Sequence, residues 1–187
     1  MTAPRPSHLQ RGLTPLQSER AQKLRTGTGR RNRRPNDVPG TLSIWLLLVH
    51  VAATCAMTGL IWLVQVVHYP LFGAVDAAAF PAYHREHMRL ITLAVGPLML
   101  VEAAAAIAIL ALRVSPPPLA WTGVALLAVV WGATMFLSVP HHDALTRGFS
   151  AATLAALVGT NWIRTVAWTA RAGVSLLMVA GAMRGAG

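Results

Sequence analysis

Residues Leu42–Tyr69 read LSIWLLLVHVAATCAMTGLIWLVQVVHY, a run with no Lys, Arg, Asp or Glu. At about 1.5 Å per residue, a helix over this run exceeds the ~30 Å hydrocarbon thickness of a bilayer. It reads as a transmembrane helix that Pro70 is expected to end. Around it lies a chain of 187 residues, 55% hydrophobic and 12% charged, against roughly 45–50% and about 25% for an ordinary soluble domain. A water-soluble globule is therefore excluded.

Three more apolar stretches follow. After a short polar segment Pro81 suits a first helical turn. The chain then runs helically through Tyr83-His84-Arg85-Glu86-His87 into the apolar block Leu90–Val114, giving a second span over 82–114. Ser115-Pro116-Pro117-Pro118 is a tight connection, and Leu119–Val139 is a third span that Pro140 is expected to stop. The fourth, over 150–183, is amphipathic, with Asn161, Arg164 and Arg171 at i, i+3 and i+10 on one side. No internal repeat is evident. The fold class is all-α, an integral membrane antiparallel four-helix bundle over 41–184 with spans at 42–69, 82–114, 119–139 and 150–183.

The formal net charge of +10 is unevenly spread: residues 1–40 hold nine of the 16 Lys+Arg and two of the six Asp+Glu. With five prolines and few large apolar residues, this segment reads as a disordered basic arm. The apolar run behind it is too long for a signal-peptide core, so the arm is expected to stay attached. Cations also follow spans two and four, at Arg113 and Arg184, so the positive-inside rule puts both termini in the cytoplasm. The partners expected are the lipid bilayer and, for the arm, anionic lipids; self-association into a homo-oligomer is open. The arm has no aromatic platform for single strands, which disfavours nucleic acid as a partner. The single cysteine, Cys55, excludes an intrachain disulfide framework and a Cys-based zinc site.

Ionisable groups inside hydrocarbon are costly and should face one another or a wet cavity. Helical spacing sorts them into two layers. An outer layer holds Gln65, His68, His84, His87, His141, His142, Asn161 and Arg164; an inner one holds His50, Glu102 and Arg171. Imidazole is the commonest ligand for Zn, Cu and Fe, which makes His68, His84, His87, His141 and His142 candidate metal ligands. Trp62, Gln65 and Asn161 are candidates for binding a metal-borne, haem or quinone cofactor. Arg164 and Asn161 would stabilise a developing anion, while Glu102 and His50 would move protons inward; Glu102, His50, Arg164 and Arg171 are the candidate catalytic groups. Against this stands a simpler reading in which histidines at helix ends only hydrogen-bond and Glu102–Arg171 is a buried lock.

The chain resembles a bacterial family of small four-span membrane proteins of unknown function. The resemblance lies in Gly59-Leu-Ile-Trp62-Leu-Val-Gln65-Val-Val-His68-Tyr69-Pro70-Leu-Phe72, in Tyr83-His84 and His87, and in Glu102. It continues in Val139-Pro140-His141-His142 and Asn161-Trp162-Ile-Arg164-Thr165. The second half is also distantly similar to anthrone-oxygenase-like membrane proteins, through a Val-Pro segment ahead of an Asn-x-x-Arg-Thr helix. That similarity implies oxygenation of a polycyclic or quinonoid compound with little cofactor. Three functions follow as alternatives: an oxidoreductase or oxygenase-like enzyme with a metal, haem or quinonoid ligand in the outer layer; a non-catalytic assembly subunit whose layers are locks; and a small proton-coupled transporter.

Overall fold

The computed structural model describes residues 40–186, so the basic arm lies outside the described residues. Four helices long and apolar enough to cross a membrane make up the bundle: α1 (Gly40–Ala74), α2 (Phe80–Ala111), α3 (Pro117–Arg147) and α4 (Ala151–Arg184). The protein is an all-α, multi-pass membrane bundle. The loops 75–79 and 148–150 share one end, and the connection 112–116 shares the other with the start of α1 and the end of α4.

Each turn has a local cause. The Asp76 carboxylate accepts hydrogen bonds from the amides of Ala78 (2.9 Å) and Ala79 (3.2 Å), closing an Asx turn that starts α2. Ser150 Oγ accepts from the Thr153 amide and caps α4. Arg113, with φ of 55°, provides the left-handed residue that ends α2. Pro117 and Pro118 then occupy the first turn of α3, where no N–H is needed.

Neither Pro70 nor Pro140 ends its helix, contrary to the sequence reading. Both are preceded by a π-helical segment, Val64–His68 in α1 and Thr134–Ser138 in α3. The Tyr69 amide bonds back to the Val64 carbonyl and the Val139 amide to the Thr134 carbonyl, each five residues earlier. In an α-helix the pyrrolidine ring clashes with the carbonyl four residues back. The wider turn shifts that register, so the helix passes through the proline and continues into the Val139–Arg147 segment.

The outside is apolar and the inside polar. Leu63, Leu93, Leu100, Phe136 and Val166 are exposed, as lipid-facing side chains should be, while Gln65, His84, Glu102, Asn161, Arg164 and Arg171 are buried. The apolar core includes Met57, Ile61, Phe72, Phe80, Leu157 and Trp168. α1 packs on α2 and α4, and α3 on α4. By contrast, α2 and α3 meet through Pro117–Ala133 and Val139–Arg147 but barely along the π segment between.

Candidate functional site

The inner level centres on Glu102, with Arg171 Nη2 left without a partner. Glu102, 0% exposed, accepts from Thr54 Oγ1 (2.9 Å) and Arg171 Nε (2.9 Å) on one oxygen, and from Trp168 Nε1 (3.0 Å) on the other. Arg171 also donates to the Gly123 carbonyl. The cluster therefore ties α1, α2, α3 and α4 together at one depth. His50 is buried at the same level as the pair, but its Nδ1 has no partner. Of the proton-moving groups expected here, Glu102 has both oxygens engaged in holding the bundle.

The second level lies towards the end with two loops. Gln65 Nε2 donates to the Val158 carbonyl (3.2 Å), and its Oε1 accepts from Asn161 Nδ2 (2.7 Å). Asn161 Oδ1 accepts from an Arg164 amino group (3.2 Å), which also donates to Ser138 Oγ (3.1 Å). The Arg164 guanidinium lies 5.2 Å from the centre of the Trp168 ring, a cation–π contact. Among the described residues no carboxylate forms an ion pair with Arg164, although it is only 7% exposed.

Histidines gather beside it in two pairs. His68 Nε2 lies 2.9 Å from His87 Nδ1, and His142 Nδ1 lies 3.2 Å from His84 Nε2. Tyr69 Oη extends the second pair, 3.0 Å from His142 Nε2. The ring centres of His87 and His142 are 6.0 Å apart, so the pairs adjoin. The rings engage one another in pairs, leaving His84 Nδ1 and His87 Nε2 without partners. Among the described residues no three His, Cys, Asp or Glu side chains are grouped so as to hold a metal ion.

These groups border a cavity of about 350 Å³ between α1, α2 and α3. Its walls are aliphatic, from Ile61, Val64, Ile91, Val95 and Met99; its polar lining comes from Tyr69, His87, Thr134, His142 and Arg164, with the Trp131 indole. Three buried nitrogens on these side chains have no hydrogen-bond partner: His87 Nε2, Trp131 Nε1 and Arg164 Nε. Two of them are N–H donors in any state, and an unmatched buried donor costs about 1–3 kcal/mol. Such a set is complete only when something that accepts hydrogen bonds joins it.

Of the residues singled out from the sequence, the structure brings together Gln65, Asn161, Arg164, His68, His84, His87 and His142 at this level, with His50, Glu102 and Arg171 at the other. Two stay apart. Trp62 lies on the outer seam of α1 and α4, donating to Thr169 Oγ1 (3.0 Å) and packed edge-on against Trp162. His141 takes no part in the histidine pairs; on its helix it is His142 that turns inward. Tyr69, Trp131 and Ser138 were not singled out as site residues. Proximity to Pro70 and Pro140 was their only signal, for Tyr69 and Ser138, and Trp131 had none beyond an indole in mid-span.

The chain matches no known protein family, no characterised protein and no solved structure.

Proposed function

We propose that this bundle binds a lipophilic ring compound bearing acidic or carbonyl oxygens, a quinonoid or phenolic molecule, and acts on it as an oxidoreductase or oxygenase-like enzyme. The observation that carries the reading is the cavity's lining. The side chains of a buried cation without a carboxylate, of Trp131 and of His87, each carrying an unpartnered nitrogen, line an otherwise aliphatic chamber. An anionic or carbonyl oxygen would complete Arg164 Nε and Trp131 Nε1, and the ring would occupy the aliphatic part. Donors held in place by Ser138 and Asn161 would favour the deprotonated, electron-rich form of such a compound. The similarity of Val139-Pro140 and Asn161–Thr165 to anthrone-oxygenase-like proteins supports the same substrate class.

The cavity lies where α2 and α3 part, so a ligand dissolved in lipid would reach it sideways past Gly96, which lines it. A Cβ added to Gly96 meets nothing within 4 Å, which leaves room for a larger side chain to fill the opening without disturbing the helix. Calorimetric titration of the detergent-purified protein with lawsone, an acidic naphthoquinone, is expected to show saturable binding. Gly96→Leu and Arg164→Gln should each weaken it about tenfold or more, as loss of space or of a charged hydrogen bond implies. Absence of binding, or equal affinity in Gly96→Leu, sinks the reading.

The inner level favours a different role for Glu102, His50 and Arg171. With both Glu102 oxygens taken by three donors, that cluster is best read as a lock. The orientation we infer has the ends of α1 and α4 and the 112–116 connection on the cytoplasmic side of a bacterial inner membrane, with the basic arm against anionic lipids. The polar ligand level then sits towards the outer face.

A further inference from the structure

We propose that His87 and His68 form a proton relay between the ligand cavity and the surface of the bundle, and that the neighbouring pair His84–His142 does not. The inference rests on the cavity holding an ionisable ligand, as argued above.

The two histidine pairs have different surroundings. His84 is 0% exposed and enclosed by aromatic rings: Phe80 stacks on it at 5.3 Å and 15°, and Phe72 meets it edge-on at 5.3 Å. Its Nδ1 has no partner. A proton arriving from His142 would stop there, behind phenyl rings. That chain therefore leads nowhere.

The other pair is open at both ends. His87 lines the cavity, and it also lines a second hollow of about 430 Å³, a groove between α1 and α2 bordered by His68, Tyr83 and Glu86. Among the described residues it is the one titratable side chain common to both. Its Nδ1 is engaged by His68 Nε2, while its Nε2, on the other side of the ring, is buried and unpartnered. His68 is half-buried, and Glu86 on the groove is exposed. Both lie within two or three turns of the bundle end, where interfacial water begins.

In the tautomer with His87 protonated on Nδ1, a ligand hydroxyl gives its proton to His87 Nε2 while His87 Nδ1–H passes its own to His68 Nε2. His68 Nδ1–H then releases one proton to water in the groove. One proton enters, one leaves, and no electrons move. Return of a proton along the same path resets both rings. The charged and titratable groups around the pair are Tyr83, His84, Glu86 and its ion-pair partner Arg89 on α2, Tyr69 on α1, His142 on α3 and Arg164 on α4. The Arg164 charge favours the ligand anion that transfer leaves behind.

Umbelliferone, a fluorescent phenol whose emission reports loss of its proton, tests this in full-length protein in detergent. Affinity is measured at equilibrium, and deprotonation of the bound probe by stopped-flow after an upward pH jump. His68 does not line the cavity, so His68→Gln should bind umbelliferone within about twofold of wild type yet release its proton about tenfold or more slowly, the scale of a lost acid–base group. His84→Gln should keep the wild-type rate. Added imidazole should restore the rate in His68→Gly, which a folding defect would not allow. Equal rates in wild type and His68→Gln, or equal slowing by His84→Gln, overturn the relay alone. Failure of wild type to bind the probe overturns the ligand reading and the relay with it.

Discussion

Arg164 and Arg171 lie two helical turns apart on α4, and both are buried, yet they are opposites. Arg171 is neutralised by Glu102 at 2.9 Å; Arg164 is held by neutral oxygens alone. Removing one partner of a buried pair leaves an uncompensated charge, at about 3–5 kcal/mol, whereas replacing both by apolar groups can be neutral. Glu102→Gln is therefore expected to destabilise the bundle by about 3–5 kcal/mol, and Glu102→Leu with Arg171→Met to recover most of that. Thermal unfolding in detergent checks both, and an unshifted midpoint for Glu102→Gln would refute the lock. That these residues lie inside the bundle was legible from hydropathy and period, because ionisable groups in apolar helices have nowhere else to go. Which of the two arginines has a carboxylate was not. With Glu102 the one acid deep in the apolar part of a span, pairing depends on helix rotation, which the pattern leaves undetermined.

At the scale of the helix, the two π segments explain where the sequence reading drifts. A π turn absorbs one residue more than an α turn, and a helical wheel drawn through it is wrong by about 100° afterwards. His50 and His68, eighteen apart, should share a face on a straight helix; instead His50 is buried and His68 is half-buried on the groove side. The same shift helps bring Tyr69 and His142 to the cavity. Phe136, within the second π segment and 80% exposed, can be removed without touching the core. Its deletion should restore an α-helix and set the Pro140 ring against the carbonyl four residues back, costing about 3 kcal/mol. Deletion combined with Pro140→Ala should regain that stability. If the deletion alone unfolds no more easily than wild type, the π segment is not what accommodates the proline.

For the whole molecule, four spans and their order followed from hydropathy, while the lateral opening between α2 and α3 did not, because it comes from the way two widened helices fail to close on a third. Sidedness is open to direct measurement. In a Cys55→Ala background, a cysteine at Ala78 should react with a membrane-impermeant maleimide in intact spheroplasts, and one at Pro116 only after lysis. The reverse pattern would invert the bundle and place the ligand level near the cytoplasm. The Glu102 cluster fastens all four helices at one depth, while His87, fifteen residues along α2, lies about 22 Å further on. Mechanically the fastening is a fulcrum, and α2 is a lever arm. A tilt of α2 about that joint would shift Gly96, six residues or about 9 Å away, less than half as far as it shifts His87, so the joint governs the ligand level more than the entrance.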